Sequence, residues 1–185
     1  MALMSRREPL LVKNLRLYSL MHATLAFDPV TDLVPVAATA SVPMLLVGSS
    51  KAPPGDLKAL LAQAKAAPGS INYGTPGNGS PHHLATALFA METGTRFTHV
   101  PYKGTAPVVN DLLASQVEIA FLGLSSALPH VKSGRLRAYG VAAPRRSGVT
   151  PDMPTLAENG APLLTPATGT RSPCRRARRR PSSNG

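Results

Sequence analysis

The chain has 185 residues and a formal net charge of +11 at neutral pH, with 43% hydrophobic but only 4% aromatic residues. That is room for one domain, or two small ones, around an Ala, Val and Leu rich core; nineteen prolines and fifteen glycines argue against a helical bundle. The single Cys174 excludes an internal disulfide, and no apolar run approaches the roughly 20 residues of a membrane-spanning helix, so no membrane insertion is expected. The charge is local: Arg171, Arg175, Arg176, Arg178, Arg179 and Arg180 sit in one run without an acid, and outside it 14 basic residues face 9 acidic ones.

In chain order, residues 1–18 mix Arg6, Arg7, Glu8 and Lys13 with apolar residues, without the uninterrupted apolar run and small-residue cleavage site of a secretory leader. Residues 34–47 are apolar and β-branched enough for one long strand, or two broken near Pro43. Gly55-Asp56 predicts the start of a helix over 57–67 that stops at Pro68-Gly69. A βα alternation follows: strand 71–74, helix 81–91, strand 97–100, helix 106–114, strand 118–122, short helix 126–132 and strand 136–142. The fold class this predicts is α/β, a small and mostly parallel sheet with helices on its faces. On the helix over 81–91, Leu84, Ala87, Leu88 and Met91 recur at helical spacing and are read as its core face.

Two loops carry the chemistry. Gly74-Thr75-Pro76-Gly77-Asn78-Gly79-Ser80 joins a strand to a helix, and His99-Val100-Pro101-Tyr102-Lys103-Gly104-Thr105 does so again. Glycines let a backbone turn tightly and approach a ligand, Ser80-Pro81 suits an N-cap followed by proline at the first helical position, and free N–H groups there attract anions. Spacing alone allows equally a tight turn with glycine chosen for its dihedral angles. The Walker lysine is absent, and glycines at 74, 77 and 79 do not make the dinucleotide pattern, so a nucleotide site is disfavoured. Ser80 and His83 lie one helix turn apart, but no acid is placed to orient the imidazole, so no catalytic residue is assigned and an enzyme is not expected. His82, His83, His99 and His130 do not have zinc-ligand spacing, and neither a metal nor a cofactor is predicted.

The wording of these segments resembles the Bug family, the periplasmic solute receptors of tripartite tricarboxylate transporters. The resemblance is carried by Phe27-Asp28-Pro29-Val30-Thr31-Asp32-Leu33-Val34-Pro35-Val36, by Asn72-Tyr73-Gly74 with Gly77-Asn78-Gly79-Ser80 and His83-Leu84-Ala85, and by His99-Val100-Pro101-Tyr102-Lys103-Gly104. It continues through Asp111-Leu112-Leu113, Gln116-Val117-Glu118, Leu128-Pro129-His130, Ser133-Gly134-Arg135-Leu136-Arg137-Ala138 and Pro151-Asp152-Met153-Pro154-Thr155, so about residues 27–160 are covered. The resemblance implies a type II periplasmic-binding-protein fold, two α/β domains closing over a small solute, with this chain supplying a hinge segment over about 34–47 and then mainly the second domain. It implies a receptor for a small organic acid that works with membrane transporter subunits, and a periplasmic location. The ligand-binding residues it carries over are Gly74, Thr75, Gly77, Asn78, Gly79, Ser80 and His83, with Tyr102, Lys103, Gly104 and Thr105 from the second loop. Backbone N–H groups around 77–80 would donate to a carboxylate, the Thr75 and Ser80 hydroxyls would add neutral hydrogen bonds, and Lys103 is either a further charge or a solvated lysine beside a turn. Pro76 is less typical of the family and removes one donor.

Three departures are expected to matter. Residues 1–26 are atypical and lack the family's opening strand and first-domain loop. The missing leader would leave the chain cytoplasmic if made as written. After Pro162 the likeness gives way to a Pro, Ser and Arg rich tail over 161–185, read as unstructured and as a high-GC gene translated out of frame, which makes the chain a truncated, frameshifted receptor. The alternatives are a cytoplasmic carboxylate sensor using the same domain, or nucleic-acid binding through the arginine tail, for which interleaved aromatics are missing and no specific nucleic acid is expected.

Overall fold

The computed structural model describes residues 33–161 and 167–175, with side chains over 43–161. The atypical segment 1–26 and Arg176, Arg178, Arg179 and Arg180 lie outside the described residues. The chain divides into two compact units, residues 1–41 with 169–185 and residues 42–168. Described in the first are the opening of strand β1 (Leu33–Gly48) and most of β6 (Ala167–Arg175), which pairs with β1. β6 thus falls within the stretch expected to lack structure, and β1 supplies the backbone partner that composition did not reveal.

In the second unit, β1 is followed by helix α1 (Leu57–Ala66), β2 (Asn72–Thr75), α2 (Pro81–Thr93), β3 (Thr98–Pro101), α3 (Thr105–Leu113), β4 (Ile119–Gly123), α4 (Leu124–Lys132) and β5 (Arg137–Ala142). The sheet order is β3-β2-β4-β1-β5. β2 runs parallel to β3 and β4, whereas β1 lies antiparallel between β4 and β5. The α/β fold is as expected, with one interior strand, β1, running against both of its neighbours in that order. Pro43, which has no N–H to donate, stands just outside the paired register that begins at Met44.

Side chains alternate along β1 between two cores. Met44 and Leu46 face one, with α1 (Leu57, Leu60, Ala64) and α2 (Ala85, Phe89); Leu45 and Val47 face the other, with α3 (Val108, Leu112) and α4 (Leu124, Ala127). Both faces are covered along the middle of the sheet, so β1 over Met44–Val47 and β4 over Ile119–Leu122 are apolar and buried residue after residue, and each large buried side chain contributes roughly 1.5–3 kcal/mol.

The helix starts follow local rules. Asp56 caps α1 by accepting from the Ala59 N–H at 3.1 Å, and Gly94 ends α2 in the left-handed region at φ 62°. The core face of α2 differs from the expected one: Ala85, Thr86, Phe89 and Thr93 are buried, while Leu88 and Met91 are 42% and 80% exposed. Two threonines hide the true face from a hydropathy reading. Their hydroxyls donate back to the carbonyls of His82 and Phe89, at 2.9 and 2.6 Å, and so go inside already satisfied. No helix among the described residues is long and apolar enough to cross a membrane.

Candidate functional site

β2 and β3 are parallel neighbours, so the loops that leave them open on the same end of the sheet, the end where α/β folds place ligands. The two loops are tied together: the Tyr102 N–H donates to the Thr75 carbonyl at 2.9 Å and the Gly104 N–H to the Pro76 carbonyl at 3.1 Å. All eleven residues assigned from sequence lie at the end of β2, on this pair of loops or on the helix starts that follow them, within the second unit.

The first loop is built for close approach. A Cβ on Gly74 would stand 3.0 Å from Val108 Cγ1 and 3.4 Å from Tyr102 Cε2, so any side chain at the strand end would press on both neighbours. Gly77 and Gly79, at φ 149° and 69°, turn the chain where a side chain would be strained. Ser80 then caps α2 by accepting the His83 N–H at 3.2 Å, with Pro81 at the first helical position. Its hydroxyl oxygen therefore faces a backbone N–H, which is a structural cap, and the His83 ring turns elsewhere.

That ring is part of the loop's bracing. The Gly79 N–H donates to His83 Nδ1 at 3.1 Å. His83 stacks on His99 with centroids 4.2 Å apart and planes within 6°, and His99 stacks on Tyr73 at 4.8 Å. His99 Nε2 lies 2.6 Å from Thr75 Oγ1, which is also 3.3 Å from the Gly77 carbonyl. Burial lowers the basicity of both imidazoles, and for His99 the neighbouring His83 lowers it further. Sequence reasoning names His99 only as a histidine without zinc-ligand spacing and leaves it out of the ligand-binding set. The signal that could have found it is register: as parallel partners, Tyr73 and His99 come side by side just before the two loops.

The assigned residues therefore sort by what they touch. Thr75 is fully buried and its hydroxyl is engaged inside the loop. The Tyr102 hydroxyl donates to Asp111 Oδ2 at 2.7 Å, and burial together with that carboxylate pushes the phenol up to about 12, so it stays protonated. Lys103 is exposed, and Gly104 precedes α3 with no side-chain cap. Among the described residues, the N–H groups of Gly77, Asn78, Lys103 and Thr105 have no acceptor. Those donors sit on two adjoining loops, each leading into a helix N-terminus, and anions are stabilised there. No group of three or more His, Cys, Asp or Glu side chains among the described residues could hold a metal ion.

Residues 11–167 match the family described as "Tripartite tricarboxylate transporter family receptor". Protein BugT of Bordetella pertussis is 39% identical over 139 residues, which are 75% of this chain and 43% of that protein. Among solved structures, R. palustris Rpa4515 with adipate superposes with a TM-score of 0.78 at 33% identity, covering 84% of this chain and 52% of the other. MatC from Rhodopseudomonas palustris, with bound malate, superposes with a TM-score of 0.75 at 30% identity, covering 83% and 52%. The chain thus spans about half the length of the relatives it matches.

Proposed function

The chain belongs to the tripartite tricarboxylate transporter receptor family, and from that membership we propose that its second unit binds a carboxylate group of a small organic acid on the paired glycine loops. The observation that carries this reading is the set of acceptor-free N–H groups at Gly77, Asn78, Lys103 and Thr105 on two hydrogen-bonded loops. Backbone donors fit a carboxylate, which offers two oxygens and about four lone-pair directions. The Ser80 hydroxyl has a proton left to donate beside them, and Lys103 contributes a solvated positive charge at the rim. Thr75, His83 and Tyr102 act behind the loop surface, holding it in shape.

The relatives with bound adipate and malate support a dicarboxylate as the first probe. In this reading the chain presents one carboxylate-holding wall, β1 carries the hinge segment, and delivery to membrane transporter subunits in the periplasm is the role. Ions and fixed amides rather than apolar contacts dominate such a wall, so affinity should follow charge on the ligand.

Isothermal titration of the full chain with adipate, malate and the uncharged diamide of adipic acid tests the proposal. Saturable binding of the dianions and none of the diamide is expected. Equal binding of the diamide, or no binding of either dianion, contradicts it.

A further inference from the structure

We propose that His83 and His99 are positioning residues whose neutral, stacked rings hold the glycine loop in its anion-accepting shape, so that protonating His83 releases the loop. The inference deepens the carboxylate reading above and rests on it. His83 Nδ1 accepts the Gly79 N–H at 3.1 Å, which places the ring's own proton on Nε2. A second proton can enter only at Nδ1, where it would turn an acceptor into a donor facing another donor. The Gly79 N–H would then have to swing away, and Gly79 stands between Asn78, whose N–H is free, and Ser80, which caps α2.

His99 braces the other end of the same loop through Thr75, at 2.6 Å. Because the rings overlap at 4.2 Å, a charge on one raises the cost of a charge on the other. The surroundings offer an imidazolium no hydrogen-bonded counter-charge. The ring stacked on the pair from β2 is Tyr73, a phenol that burial keeps protonated; His82 on α2 is itself resisted as a cation by burial. Of the carboxylates on neighbouring elements, Asp111 of α3 is bonded to Tyr102 and Glu118 accepts the Asn72 N–H at 2.7 Å; Glu92 stands near the far end of α2, and Lys103 beyond β3 adds a like charge. Acid thus acts on the loop through the ring that braces it.

Two opposite responses are possible on acidification. An imidazolium that touched the solute would attract a carboxylate, and binding would tighten; an imidazolium that must break the Gly79 bond would loosen the loop, and binding would weaken. The test is calorimetry of adipate binding to the full chain from pH 8 to pH 5, beside His83→Asn and His83→Phe. Asn places an amide oxygen near the Nδ1 position, so it can accept from Gly79 without titrating; Phe keeps a ring and loses the acceptor. His83→Phe should bind about tenfold more weakly at pH 8 and His83→Asn should recover part of that loss, while the ratio of wild-type to His83→Asn affinity should fall severalfold as the pH drops to 5. Taking the ratio cancels the protonation of adipate itself. A ratio that stays level or rises as pH falls overturns the proposal. If adipate fails to bind at every pH, the carboxylate reading has failed separately, and the Gly79 amide resonance of the wild type decides this one. An amide shift that follows the His83 titration supports it, and an amide unmoved through that titration overturns it.

Discussion

Gly104 shows at single-residue scale how the site is shaped by backbone rather than by side chains. It sits at φ 118° and ψ 175°, a region essentially reserved for glycine, and a Cβ there would meet nothing within 4 Å. Gly104→Ala therefore isolates the conformational cost: stability should fall by about 1–3 kcal/mol in urea unfolding, with adipate binding weakened because the Lys103 and Thr105 donors move. An alanine variant as stable as the parent would mean that the loop relaxes freely. The glycines, the Ser80 cap and Pro81 were legible in the sequence because each answers a local backbone demand. The Thr75 and His99 pairing was not, since it joins residues 24 apart in sequence through the register of two strands.

At the scale of elements, α2 separates what periodicity can show from what packing decides. Residues 84, 87, 88 and 91 and residues 85, 86, 89 and 93 both recur at helical spacing, and the sheet buries the second set. Phe89 is wholly buried and meets Phe121 edge-on with centroids 5.8 Å apart. Phe89→Ala should cost about 3–5 kcal/mol of unfolding free energy, whereas Met91→Lys should change stability by less than about 0.5 kcal/mol. The reverse order would restore the face read from sequence. Helix and strand limits were otherwise legible to within a few residues, because Asp56, Ser80 and Gly94 mark them with cap chemistry. The direction of β1 was not, since an apolar run burying both faces reads alike whichever way its neighbours point.

At the scale of the whole molecule, the partly and fully buried titratable groups set how stability depends on pH. Burial lowers the folded-state basicity of His82, His83 and His99, so below about pH 6.5 the unfolded chain takes up protons first and the melting temperature should fall as pH drops through that value. On the alkaline side Tyr73, Tyr102 and Tyr139 hold their protons longer in the fold, Tyr102 to about 12, so stability should also decline as pH rises above about 10. Thermal melts across both ranges check the two limbs, and a flat acid limb would contradict the burial of the histidines. The order of alternating elements was legible from Pro and Gly punctuation, and the family from motifs spread over about residues 27–160; the β6 pairing required partners that composition does not announce. In the proposed function, two backbone loops hold a carboxylate. Amide chemical shifts of the full chain, titrated with adipate at pH 8 and fixed salt, test it most directly. Saturable shifts concentrated at Gly77, Asn78, Lys103 and Thr105 are predicted, and a titration that leaves those four amides unmoved while others respond would contradict it.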